Sequence, residues 1–109
     1  MVYGIYFDVN SSTLKPESAP TLKGISEMLK MKSKLNLYVI GHTDMTGDLK
    51  HNMELSDKRA KAVVDVLVKE YGISAKRLTG KGVGPLCPVS TNKTDEGKQL
   101  NRRVELVER

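Results

Sequence analysis

The chain has 109 residues, a formal net charge of +5 and 28% charged residues, enough for one domain and too few for two independent cores. Near-average apolar and charged fractions exclude general disorder and collagen-like repeats, and a lone cysteine, Cys87, excludes a disulfide scaffold. With no Trp, one Phe and four Tyr, the chain has few stacking faces for a single-strand nucleic-acid binder, and its longest strongly apolar run, Leu37–Gly41, is far short of the ~20 residues that span a bilayer.

Val2–Val9 alternates loosely through Tyr3, Ile5, Tyr6 and Phe7 and reads as a strand, with Gly4 marking a bulge. No basic n-region followed by an apolar h-region precedes it, so no signal peptide is visible. The chain is either an intact small protein or a domain of a longer one, in which case compartment signals lie elsewhere in the parent. Asn10–Thr13 is a polar turn cluster. From Pro16 to Lys32, Leu22, Ile25, Met28 and Leu29 recur at helical spacing. Pro16 suits a first helical position, whereas Pro20 argues for a regular helix that starts at Ser18 as its N-cap.

Leu35–His42 reads as the second strand. A second helix begins between Asp48 and Asn52 and runs to about Tyr71, where Gly72 fits the C′ position. Leu78–Val83 is strand-like inside a glycine-rich stretch, Pro85–Gln99 is mostly irregular, and Arg102–Val107 closes the chain as a strand. That last strand alternates Val104 and Leu106 with Arg103, Glu105 and Val107. The order β-α-β-α-β-β predicts an α/β (α+β) fold, a two-layer sandwich with a small mixed sheet and helices on one face.

Basic residues gather at Lys30–Lys34, Lys76–Lys81 and Arg102–Arg103. They permit binding to nucleic acid, anionic lipid headgroups or an acidic cell-wall polymer, and select none of these. One cation is more informative. Projected at helical pitch, Leu55, Ala62, Val63 and Val66 of the second helix form one stripe with Leu67 at its edge; Arg59 falls in its middle and Asn52 close to it. A guanidinium on the core side of a helix is costly unless paired. It either sits in a structural salt bridge or offers its planar fork to a ligand carboxylate or phosphate. Asp44 follows the second strand directly, where α/β sheets bind ligands, and is the expected counter-charge. One anionic and one cationic contact suit a zwitterion.

Other chemistry has less support. His42, Asp44 and His51 lie close in sequence, but no H-E-x-x-H motif or cysteine pair accompanies them; His42 reads as a packed or hydrogen-bonded imidazole at a strand end, and His51 as an exposed first-turn residue. The Gly80–Gly84 stretch lacks a phosphate-loop pattern and opens no helix, and no nucleophile elbow is present. Cys87 reads as a spare thiol or small core residue. The expectation is a protein that is not an enzyme and holds no metal or cofactor.

Gly41-His42-Thr43-Asp44, Gly47, Asn52, Leu55-Ser56 and Arg59-Ala60 resemble the G-H-T-D-x-x-G…N-x-x-L-S-x-x-R-A core of the OmpA-like C-terminal domain family. The match continues through Val63, Leu67, Gly72-Ile73, Arg77-Leu78, Gly82-Val83-Gly84, Pro88 and Asn101-Arg102-Arg103-Val104, with Phe7-Asp8-Val9-Asn10 and Leu14 as the opening motif. Leu86-Cys87 fall where the family varies, and Lys98 stands where a basic residue, often Arg, precedes the N-R-R motif. The resemblance implies a single peptidoglycan-binding domain, residues 1–109, from a longer envelope protein of the periplasm attached to the outer membrane through a preceding region. It implies non-covalent recognition of the diaminopimelate of the stem peptide, with the ligand-binding aspartate at Asp44 and arginine at Arg59. It further implies secondary contacts at Asp8, Asn10, Thr43, Asn52, Leu55 and Arg103. The partner is then peptidoglycan and not nucleic acid. The alternative is a small basic envelope module for another anionic polymer or a protein partner, with Arg59 only structural.

Overall fold

The computed structural model describes residues 2–109, with side chains from residue 5 onward; the reading placed on the Tyr3 side chain lies outside the described residues. β1 (Val2–Tyr6) leads through a 3-10 turn at Pro16–Ser18 into α1 (Ala19–Met31). Pro20 falls in the first turn of α1, whose N–H groups have no partner within the helix, so its missing N–H costs nothing there. Ser18 is the N-cap by position, but its side chain makes no capping bond.

After β2 (Leu37–Gly41), α2 (Leu49–Lys69) begins on Asp48, whose carboxylate accepts the His51 N–H at 2.7 Å. Beyond its end Gly72 adopts φ +71°, and the Ile73 N–H returns to the Leu67 carbonyl at 3.0 Å. A 3-10 turn at Ala75–Arg77 then precedes β3 (Leu78–Gly82), α3 (Asp95–Asn101) and β4 (Arg103–Glu108). α3 lies in the stretch expected to be irregular. Its start is chemically plain: Thr94 Oγ1 accepts the Gly97 N–H at 3.0 Å, and Asp95 and Glu96 occupy the first turn. At seven residues it is too short to reveal itself by periodicity.

The sheet order is β1-β4-β2-β3, with β2 and β3 parallel and β4 antiparallel to both β1 and β2. The β1–β4 register shifts between Val2 and Tyr6, an interval that contains Gly4. α1 and α2 cover one face, and the core between them and the sheet holds Ile5, Phe7, Ile25, Leu29, Val39, Val63, Leu67, Val104 and Leu106. This is the expected mixed two-layer α/β sandwich. Val104 and Leu106 point into the core while Val107 is exposed, as their alternation predicts.

The buried seam of α2 is rotated from the predicted stripe. Ser56 and Ala60 are fully buried alongside Asn52, Leu55, Arg59, Val63 and Leu67, whereas Ala62 and Val66 are half-buried. The cause is a close approach of helix to sheet. A Cβ at Gly41 would lie 2.0 Å from the Ser56 carbonyl oxygen, and one at Gly82 would lie 2.2 Å from Ser56 Oγ. Small residues on both surfaces therefore bring α2 down onto the ends of β2 and β3.

Gly41→Ala should force α2 off the sheet and cost about 3 kcal/mol or more. Thermal and urea denaturation measure this; a stability equal to wild type would show that the helix moves aside freely.

Candidate functional site

The ends of β2 and the start of α2 face the segment after β1 across a cavity of about 330 Å³. Its walls include Asn10, Thr43, Asp44, Asn52, Leu55, Arg59 and Arg102. Four further expected site residues, Asn10, Thr43, Asn52 and Leu55, join Asp44 and Arg59 in this wall, while Asp8 and Arg103 do not line it.

Arg59 has no exposed surface. Its Nε–H donates to the Ser11 carbonyl at 2.8 Å, Nη1 to that of His42 at 2.9 Å and Nη2 to that of Asp8 at 2.9 Å. The Phe7 ring lies against the guanidinium, 5.1 Å from centroid to Cζ. Among the described residues Arg59 has no carboxylate partner, so the expected salt bridge is replaced by backbone carbonyls. Three of its five N–H groups are used, and among the described residues the other two have no partner. Burial and then the Arg102 charge lower its pKa to about 10, with Asp44 opposing; the side chain stays cationic at neutral pH.

Asp44 is nearly buried and is held from two sides. Oδ1 accepts the Thr46 N–H at 2.8 Å, and Oδ2 pairs with Arg102 Nη1 at 2.7 Å. Burial alone would raise its pKa, but the Thr46 N–H and the Arg102 guanidinium outweigh it and hold the carboxyl below its ordinary value. The counter-charge of Asp44 is thus Arg102 rather than Arg59. Two guanidiniums and one carboxylate line the cavity, which carries a surplus positive charge.

Asp8 serves Arg59 through its carbonyl, while its carboxylate is exposed and paired with Lys15 at 2.7 Å. Arg103 was expected at the site and is not in it. Arg102 caps the C-terminus of α3 and turns toward Asp44; β4 then starts at Arg103, whose side chain lies on the face away from α2, bonded to Glu105 and the Cys87 carbonyl. Arg102, one residue earlier, takes that place, because the short helix whose end separates the two arginines was not legible in the sequence. Asn101 completes the motif: it accepts the Val89 and Ser90 N–H groups and donates to Ser90 O and Asn92 Oδ1. Asn92 in turn accepts the Met45 N–H at 3.2 Å, so residues 85–98 brace the turn beside Asp44 without lining the cavity. His51 is exposed, as read, with Nε2 2.6 Å from Asn10 Oδ1. Cys87 is an exposed free thiol.

The sequence profile of the OmpA family matches residues 6–102. The chain is 44% identical over 107 residues to "Probable lipoprotein YiaD" of Escherichia coli K12, covering 98% of this chain and 48% of that protein, so it spans about half the length of this relative. Its fold is similar to that of the peptidoglycan-associated lipoprotein from Burkholderia pseudomallei, with TM-score 0.90 and 27% identity over 96% of this chain and 88% of that one. It is also similar to the cell wall anchor of the T6SS from Pseudomonas aeruginosa, with TM-score 0.77 and 36% identity over 93% of this chain and 72% of that one.

His42 stands behind the cavity, 2% exposed, with neither ring nitrogen hydrogen-bonded to any described residue and Nε2 3.6 Å from Glu105 Oε2. Burial, then the Arg103 charge, lower its pKa from 6.5 to about 4, with Glu105 opposing. The unfolded chain therefore binds the extra proton between these values. Stability should be full above about pH 6.5 and fall as pH drops toward about 4, by up to about 3 kcal/mol. His42→Leu should abolish this dependence without loss of stability at pH 7, because no hydrogen bond is lost. Urea denaturation across the pH range measures both; an unchanged slope in the variant would assign the dependence to another group.

Proposed function

The chain belongs to the OmpA family, and on that premise we propose that it binds peptidoglycan without covalent attachment, through the diaminopimelate of the stem peptide. The observation that carries this reading is Arg59: a buried guanidinium with no carboxylate partner among the described residues, in the same cavity wall as Asp44. The far end of diaminopimelate bears an ammonium and a carboxylate. Asp44 receives the ammonium, since among the described residues each of its oxygens accepts one bond. The two free N–H groups of Arg59 receive the carboxylate, which neutralises the surplus positive charge. Arg102 orients Asp44. Asn10, Thr43, Asn52 and Leu55 shape the wall, and Asp8 acts through the carbonyl that holds Arg59.

Residues 1–109 act as one unit of a longer protein, located in the periplasm and attached to the outer membrane. It serves as a tether and not as a catalyst. Weak contacts gain strength through many copies on one polymer. A second reading has its own support: Arg59 spends three N–H groups on backbone carbonyls, as a purely structural residue would. The chain would then bind another anionic polymer or a protein partner.

Calorimetric or NMR titration with meso-diaminopimelate and with lysine separates the two. Lysine has the ammonium but lacks the distal carboxylate. Diaminopimelate should bind at least about tenfold more tightly, since one charge-assisted bond is worth roughly 1.5–3 kcal/mol. Asp44→Asn should weaken both ligands, and Arg59→Lys should weaken diaminopimelate more than lysine. Equal binding of both ligands, or none of diaminopimelate or a muropeptide containing it, would favour the structural reading of Arg59.

A further inference from the structure

Two of the basic clusters in the sequence are left unused by the cavity, and the fold brings them together. Leu37, Leu78 and Glu108 are aligned in the sheet at the end away from Gly41 and the cavity. At this far end Arg77 donates through Nη2 to the carbonyls of Leu29 and Lys32, each at 2.8 Å, and through Nε to that of Leu35 at 3.0 Å. Arg109 donates to the Lys76 carbonyl at 2.9 Å, and its own N–H bonds to Asn36 at 2.8 Å. These bonds fasten the end of α1 to the turn before β3. They gather Lys30, Lys32, Lys34 and Lys76, all exposed, and among the described residues none of these lysines has an ion-pair partner.

The lysines border apolar surface. A groove of about 680 Å³ opens between the end of α1 and the ends of β2 and β4, lined by Met28, Leu35, Leu37, Leu106 and Val107 with Lys32 and Lys34. Met31, on its rim, is 86% exposed, Val107 is 42% exposed, and Tyr38, its register partner, is 40% exposed. Among the described residues that line the groove, Glu108 alone is acidic.

We propose that this end of the domain docks on an anionic phospholipid surface. Charge complementarity selects an anionic partner, and the exposed apolar side chains select a lipid one. A soluble polyanion would engage the lysines and leave Met31 and Val107 in water. A bilayer takes both: the ammonium groups sit at the phosphate level and the apolar side chains enter the acyl boundary. The site is separate from the cavity, so it stands whether or not diaminopimelate is the cavity's ligand.

Co-sedimentation with vesicles of phosphatidylglycerol and phosphatidylcholine tests this, against phosphatidylcholine alone. The wild type should bind the anionic vesicles at low salt, release steeply as salt rises, and ignore the neutral ones. The triple variant Lys30→Gln, Lys32→Gln, Lys34→Gln should lose about tenfold or more in affinity. Met31→Ser should lose several-fold on vesicles while leaving binding to soluble polyglutamate unchanged. Both variants carry only exposed substitutions, and an unaltered melting curve checks their fold. No vesicle binding, or binding that the triple variant retains, would overturn the proposal. Polyglutamate binding as tight as vesicle binding, with Met31→Ser without effect on either, would assign the patch to a charged polymer instead.

Discussion

The site depends on one buried cation. Arg59 reaches from α2 to three backbone carbonyls, two in the segment after β1 and one at the end of β2. Removing a guanidinium from water costs several kcal/mol, and three charge-assisted bonds with the Phe7 ring offset it only if all of them form together. The residues after β1 have little regular structure of their own, and Arg59 fixes them as one wall of the cavity. This reach requires α2 to lie unusually near the sheet, which Gly41 and Gly82 opposite Ser56 permit. Glycines on the strands and an arginine on the helix are thus parts of one device.

Most of the architecture was legible because its elements are long or sharply bounded. α2 announces itself by periodicity and by Asp48 and Gly72 at its ends, and Arg59 stood out as a cation on its apolar stripe. Asp44 was legible from its place just beyond a strand. What could not be read turns on single-residue geometry. The seam of α2 runs through Ser56 and Ala60, whose burial reflects glycines on another element rather than their own hydrophobicity. The choice of Arg102 over Arg103 depends on where the seven-residue α3 stops. The partners of Arg59 are carbonyls, which every residue possesses and no side-chain pattern advertises.

Asn101, Arg102 and Arg103 show how much a tripeptide can organise at the join of a helix and a strand. Asn101 saturates its amide on the preceding loop, Arg102 turns to the cavity carboxylate, and Arg103 crosses to Glu105 on the opposite face. Successive side chains diverge because the backbone changes from helical to extended between them. The same divergence leaves His42 enclosed near Arg103 and Glu105 and excludes it from the cavity wall.

The course of β1 has a mechanical consequence. It runs toward the cavity, parallel to β2, from a start opposite Glu105, and is held along an edge by antiparallel β4. At its cavity end Phe7 and Arg102 exchange bonds: the Phe7 N–H donates to the Arg102 carbonyl at 3.2 Å, and Arg102 Nε–H donates to the Phe7 carbonyl at 3.1 Å. A pull applied at the start of β1 and resisted by a ligand in the cavity acts along the strand, in shear. The ladder bonds then share the load, where a pull across the strand would open them one after another. The force line ends on Arg102, the residue that also grips Asp44. For a ligand held at Asp44, traction on the strand and the grip on the ligand would meet in a single guanidinium, and tension would be borne by the sheet before it reached the helices.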